Sequence, residues 1–250
     1  MPNESINKMW KLGNHRLLLG DARKESDIAQ LLGKEKASLL LCDPPYGVAY
    51  VESKQELLAS QATKKFSAIT GDGVEEDYYV FSKEWLEAVK PHLAAKNSFY
   101  IFNGDAKLRE LLNTLNDIGY TKSSLLIWIK NHPVIGWKDY HLQHELILYG
   151  WYGKHAFFGQ KDKSVLFYPK PHRSKLHPTM KPPGLLRRLI YHSSQPGDIV
   201  LDPFGGSGST LIACEHLGRK CFMVECDEKY CQTIIDRWQK LTKGKVELLT

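Results

Sequence analysis

Leu39-Leu40-Leu41-Cys42 is an apolar run that stops at Asp43-Pro44-Pro45-Tyr46-Gly47. A run without alternation suits a strand covered on both faces, as in a parallel sheet. The two prolines lack an N–H and fix φ near −65°, so the strand ends there and the backbone stiffens into a turn. Asp43 is thereby set at the carboxyl end of a strand, beside the backbone carbonyls of Cys42, Asp43 and Pro44. A carboxylate and a carbonyl side by side can accept two N–H bonds from a planar amino group, and the Tyr46 ring can stack on the heterocycle that carries it. A plain strand-ending turn with an Asp cap would show the same four residues.

A second stretch, far down the chain, has complementary features. Asp198-Ile199-Val200-Leu201 reads as a strand, followed by Asp202-Pro203-Phe204-Gly205-Gly206-Ser207-Gly208-Ser209-Thr210 and a helix from about Ser209 to Leu217. A strand, a glycine-rich turn and a helix form the nucleoside-binding geometry of doubly wound sheets. The run does not fit GxxxxGK[ST] and fits GxGxxG poorly, which disfavours a P-loop and a dinucleotide site. Lys220-Cys221-Phe222-Met223-Val224 is the next strand, and it ends at Glu225, placed to accept two ribose hydroxyls. In open α/β sheets ligands gather at the carboxyl ends of central strands, so the two stretches are expected to face each other.

The rest of the chain fills in an α/β alternation. Strands are expected at Arg16–Leu19, Asn97–Phe102, Ser124–Ile129 and Glu145–Tyr149, with helices near Arg23–Leu32, Tyr79–Val89, Leu108–Leu115, Leu185–Ile190 and Tyr230–Leu241. Residues 48–73 have no period and read as a lid that moves or orders on ligand binding. Residues 151–175 carry Lys154, Lys161, Lys163, Lys170, Arg173 and Lys175 against one acid, Asp162, interleaved with aromatic rings; the loop before them adds Lys130 and Lys138. Basic groups neutralise phosphates and rings stack on bases, so about 131–176 reads as a small basic insert for nucleic acid; the alternative is a solvated hairpin with its rings packed inward. The net charge of +6 over 250 residues permits a polyanionic partner. The whole of 1–250 reads as one domain, cytoplasmic, with no run approaching the ~18 apolar residues of a membrane span. The five cysteines include no CxxC pair and no zinc-like spacing, so reduced core thiols and no metal are expected.

These motifs together resemble the S-adenosylmethionine-dependent DNA amino-methyltransferases. Asp43-Pro44-Pro45-Tyr46 is similar to their DPPY motif and Phe204-x-Gly206-x-Gly208 to their FxGxG motif. The catalytic motif precedes the cofactor motif, with His177-Pro178-Thr179-Met180-Lys181-Pro182 between them, as in the permuted beta class. Trp128-x-Lys130, Asp139-Tyr140, His144-Glu145 and Tyr149-Gly150-Trp151 resemble phage and prophage site-specific adenine-N6 members. Gly47 and Met180 depart from the common pattern, where many members have Asn and Gln.

The resemblance implies a circularly permuted, doubly wound Rossmann-like α/β fold and double-stranded DNA as partner. Asp43 and the Pro44 carbonyl would bind the target amino group, with Pro45 shaping the turn and Tyr46 stacking on a flipped base. Phe204, Gly206, Gly208 and Glu225 would hold the cofactor, Asp21 would face its adenine, and Thr179 and Lys181 would approach its methionine carboxylate. A sulfonium methyl is already activated, so transfer to nitrogen requires alignment and loss of a proton, and a duplex base must be extruded first. Without a Pro-Cys dipeptide, attack through a cysteine adduct is disfavoured. Adenine N6 is the expected acceptor, with cytosine N4 the alternative. A non-catalytic DNA-binding module on the same fold and a protein-glutamine methyltransferase are the readings from other classes. Monomer and homodimer stay equally open.

Overall fold

The computed structural model describes residues 8–45, 77–135, 139–169 and 181–249. The strands are β1 (Met9–Leu12), β2 (His15–Leu19), β3 (Ala37–Cys42), β4 (Leu93–Asn103), β5 (Thr121–Ile129), β6 (His144–Trp151), β7 (Lys154–His155), β8 (Val165–Phe167), β9 (Ile199–Asp202), β10 (Lys220–Glu225) and β11 (Val246–Leu248). The α-helices are α1 (Glu25–Leu32), α2 (Tyr78–Val89), α3 (Leu108–Asp117), α4 (Pro183–Ser193), α5 (Ser209–Leu217) and α6 (Glu228–Thr242). The sheet runs in the order β11-β1-β2-β10-β9-β3-β4-β6-β5-β8, and β7 pairs with the start of β4.

From β2 to β4 the pairing is parallel, as the unbroken apolar runs require; β6 then enters antiparallel between β4 and β5. Alternate residues point to opposite faces, so each central strand feeds two cores. Leu40 and Cys42 of β3, Leu201 of β9 and Phe222 of β10 face α1, α2 and α3. Leu39 and Leu41, Val200 and Met223 face α4, α5 and α6. The result is three layers, α/β/α, with the N-terminal β2 docked onto strands from the other end of the chain. Among the described residues, no helix is long and apolar enough to cross a membrane.

The sequence reading missed β1, β7, β8 and β11, which are only two to four residues long; of these, β8 alone is wholly apolar (Val165-Leu166-Phe167). Residues 131–176 were expected to form an insert. Instead β8 pairs with β5 and extends the main sheet, while the Asp162 carboxylate takes Arg188 (2.5 and 2.6 Å) and His192 (3.1 Å) of α4.

One polar pin closes the fold. The buried His15 accepts the Cys221 N–H at Nδ1 (2.9 Å), so Nε2 carries the proton and donates to Glu215 (2.8 Å), which also accepts from the Trp238 indole (2.7 Å). Burial lowers the His15 pKa from its ordinary 6.5, against the pull of Glu215. A lowered histidine pKa means that the unfolded chain takes up its proton first as pH falls. The contribution of His15 is thus whole above about 6.5 and shrinks below it. Urea melts of wild type and His15→Gln should show a stability gap that narrows from pH 7 to pH 5. A constant gap would remove His15 from the pH dependence.

Candidate functional site

β3 and β9 lie side by side, paired at Leu39–Val200 and Leu40–Leu201. From β3 the sheet grows toward β4 and from β9 toward β10, so the strand order reverses between them. The carboxyl ends of these two strands frame the crevice where open α/β sheets take their ligands. Asp43 follows β3 at this crevice and Asp202 ends β9 across from it.

Asp43 is half-buried and Pro44 buried. The Lys181 ammonium, 6% exposed, lies 2.5 Å from Asp43 Oδ2. The same ammonium is 3.1 Å from Glu145 Oε2, and Glu145 Oε1 is 2.7 Å from the ammonium of Lys130. Asp43, Lys181, Glu145 and Lys130 thus form a ladder of alternating charge. Burial works against the Lys181 charge, but the two carboxylates outweigh it and leave its pKa raised. Burial likewise opposes the Glu145 charge, and the two ammonium groups outweigh it and hold its pKa lowered. Two rings back the cations: Phe102 lies 5.0 Å from Lys181 and Trp128 5.4 Å from Lys130.

The glycine-rich turn follows β9. Gly206 and Gly208 sit at φ +51° and +76°, in the left-handed region, and a Cβ on Gly208 would come within 3.1 Å of Ile234. The Gly206 N–H donates to Glu225 Oε2 (2.6 Å) and the Asp227 N–H to Oε1 (3.0 Å), tying the tip of β10 to the turn. Arg237 of α6 reaches the same turn and donates to the Ser207 carbonyl. Phe204 meets the edge of Trp85 at 5.3 Å and lies 6.0 Å from Phe81, both on α2. Burial raises the Glu225 pKa. Burial, with Asp43 and Glu225 adding to it, pushes the Asp202 pKa up to about 8.

The structure brings Asp43, Pro44, Pro45, Phe204, Gly206, Gly208 and Glu225 to one edge of the sheet. Asp21 joins them: Gly20 N–H donates to the Glu225 carbonyl (3.0 Å), and the Asp21 carboxylate accepts from Arg23 Nε (3.1 Å) and Nη2 (3.0 Å). Tyr46, Lys138, Arg173 and Thr179, with residues 48–73, lie outside the described residues. Lys181 was expected at a cofactor carboxylate; two protein carboxylates hold it. Lys130 was expected to face DNA. It is 3% exposed, and its charge faces Glu145 instead.

Lys154, Lys161 and Lys163 are exposed but stand away from the crevice. Lys154 pairs with Lys96, five residues before Ile101, the partner of Cys42. At ~3.3 Å per residue that is roughly 16 Å toward the other end of the sheet. Lys161 adjoins Asp162, which the last turns of α4 hold at that end too. Lys163 lies beyond β5, four strand spacings from β3, or roughly 19 Å. The segment that does rise beside the crevice is the β5–β6 connection. Lys130 N–H donates to Gln143 O and Val134 N–H to Leu142 O, and Ile135 (73%) and Tyr140 (87%) stand exposed on it.

Sequence reasoning passed over Glu145, Asp202, Trp85 and Arg237 as site residues. A signal existed for Glu145: it pairs with Trp128 across β5 and β6, and Lys130 shares the Trp128 face.

A carboxylate just past one strand tip and a glycine-rich turn after the next frame a crevice of the kind in which doubly wound α/β enzymes bind nucleosides. The profile of the N6_N4_Mtase family, described as DNA methylase, matches residues 37–236, and the chain belongs to that family. It is a DNA methyltransferase of the N6/N4 group. The chain is 26% identical to the type II methyltransferase M.HpaI of Haemophilus parainfluenzae, over 82% of its own length and 69% of that protein's. It is 26% identical to M.HinfI of Haemophilus influenzae, over 100% and 75%. A crystal structure of an M1.HpyAVI–SAM complex, 25% identical, superposes with a TM-score of 0.65, covering 88% of this chain and 98% of that one. PvuII DNA methyltransferase, described as cytosine-N4-specific, shares the fold at 16% identity, with a TM-score of 0.67 over 94% and 95%.

Proposed function

We propose that this enzyme transfers a methyl group from S-adenosylmethionine to the N6 amino group of adenine at a specific site in double-stranded DNA. The observation that carries the reading is the placement of Asp43 and the Phe204–Glu225 turn on adjacent strand tips across the reversal of strand order. The residues suit the cofactor. Glu225 and Asp202 are acids whose charge burial suppresses, beside a glycine turn, and such a wall favours a ligand that brings hydroxyl donors and positive charge. Glu225 would take the ribose hydroxyls, Phe204 and the turn at Gly206 and Gly208 would line the nucleoside, and Asp21 would face the adenine edge. Bound there, the cofactor supplies an activated methyl on sulfur.

The work left to the protein is alignment. Asp43 and the Pro44 carbonyl accept the two N–H bonds of the target amino group, which turns its lone pair toward the methyl and meets the positive charge that develops on nitrogen. Tyr46, adjoining the double proline, would supply the stack that an extruded base loses, against a flipping cost of about a few kcal/mol. Adenine is favoured because Asp opens the motif; cytosine N4 has the same amino chemistry and is the competing acceptor.

The test uses purified protein, labelled S-adenosylmethionine and plasmid DNA, followed by digestion to nucleosides. N6-methyladenine confined to one sequence supports the proposal. N4-methylcytosine would reassign the acceptor, and label absent from DNA would overturn the whole reading.

DNA is expected to approach the carboxyl edge of the sheet, against the β5–β6 connection. Each phosphate contact adds about 0.9 to the salt slope of binding. Reversing Lys154 and Lys161 together to Glu should therefore change that slope by less than about one. A drop approaching two would return those lysines to the DNA interface.

A further inference from the structure

We infer that Glu145 and Lys130 are positioning residues for Asp43, acting through Lys181 along the buried ladder, and that Lys181 serves the catalytic carboxylate and not the cofactor. The inference rests on the amino-methyltransferase reading above and extends it to residues that touch neither substrate nor cofactor.

The geometry carries the argument. Lys181 stands 2.5 Å from Asp43 and 3.1 Å from Glu145, and Lys130 stands 2.7 Å from Glu145. Both lysines are buried, so solvent screens these contacts little. A lone cation against Asp43 would fix its carboxylate yet also repel the positive charge that develops on the target nitrogen. Glu145 offsets that repulsion by sharing the Lys181 charge, and Lys130 in turn keeps Glu145 ionised. Four alternating charges sum to zero, so Asp43 is held in place without a net positive field over the reacting amino group. The positions come from separate segments: just past β3, two residues before α4, the start of β6 and just past β5.

Each link should tune how readily Asp43 takes up a proton. Among the described residues, Asp43 also acts electrostatically on Cys42 of β3, Tyr78 of α2 and Asp202 of β9. All three are unchanged in the variants below, so they shift every profile alike. Lys181→Met removes the cation that opposes proton uptake. Lys130→Met leaves Glu145 to draw more of the Lys181 charge and acts in the same direction. Glu145→Gln turns the whole Lys181 charge onto Asp43 and acts in the opposite one.

The experiment is the pH profile of single-turnover methyl transfer to a cognate duplex, with cofactor and DNA binding measured alongside. The acid limb is expected to move up by half a pH unit or more in Lys181→Met and Lys130→Met, and down in Glu145→Gln. Cofactor Kd should stay within about threefold of wild type throughout. Should Lys181→Met not fold, Lys130→Met and Glu145→Gln still must move the limb in opposite directions. Limbs that stay put or move together would overturn the ladder. So would a tenfold weaker cofactor Kd in Lys181→Met with an unmoved limb, which would seat Lys181 on the cofactor. Inactive wild type would instead count against the methyltransferase reading itself.

Discussion

Asp43→Ala is expected to lower methyl transfer at least about a thousandfold, since a preorganised group meeting transition-state charge is worth about 10²–10³ and here ground-state alignment of the amino group is lost as well. Cofactor binding should persist, because the Gly206–Glu225 contact and the Trp85–Phe204 edge lie on other strands and helices. Glu145 remains beside Lys181, so the substitution does not strand a buried cation alone. Asp43→Asn is the sharper control. It keeps the shape but replaces one acceptor oxygen with a donor, and it should be nearly as inactive as Ala. Single-turnover assays with saturating cofactor decide it; an Asn variant above about a tenth of the wild-type rate would mean that the carboxylate is not what holds the amino group.

Trp85→Ala should give the largest loss of stability. Trp85 is completely buried between the sheet and the α1/α3 side of the core, and truncating a buried Trp costs about 3–5 kcal/mol. For a chain of this length, at about 2–4 °C per kcal/mol, that is a fall in Tm of roughly 6–20 °C. The ring also meets Phe204 edge-on at 5.3 Å, so its loss should loosen the cofactor turn and weaken cofactor binding. Trp85→Phe keeps an aromatic edge there and should retain most of the affinity. If Ala melts like wild type, the ring is not the keystone of the α2 layer. Unchanged cofactor affinity in Ala would separate Phe204 from it.

The two ligand motifs could be read from the sequence because each is local: an apolar run, an abrupt stop, and side chains fixed by proline or glycine. Their adjacency followed from the rule for open sheets, and the β3–β9 pairing supplies it. The charged ladder was not legible for the opposite reason. Lys130 follows an apolar strand and precedes a polar turn, which is how a solvent-facing lysine looks in one dimension. Its burial depends on Glu145, on the neighbouring antiparallel strand, and on Lys181 arriving from a distant segment. The basic 151–175 stretch was equally hard to place from the sequence. Charge density could be counted, but the end of the sheet on which Lys154 lies is set by a two-residue pairing with β4. The short strands β1 and β11, the latter at the sheet edge, are held by backbone pairing more than by side-chain pattern, and so left little trace in the sequence.

The connection between β5 and β6 ends on two of the four ladder charges. Lys130 closes one side and Glu145, the second residue of β6, the other, and their contact spans the base of the segment from 131 to 144. Changes inside that boundary leave both charged residues in place, while Gln143, whose carbonyl accepts the Lys130 N–H and whose amide donates to the Lys130 carbonyl, braces the pair from within. If this tip reads the target sequence, exchanging it whole, like a tool in a chuck with the Lys130–Glu145 contact as the jaw, should change specificity and leave Asp43 aligned. A chimera cut one residue wider on either side would instead inherit a new tip and a misaligned Asp43. On that reading the boundary for transplanting specificity is drawn by an ion pair and not by the ends of the strands.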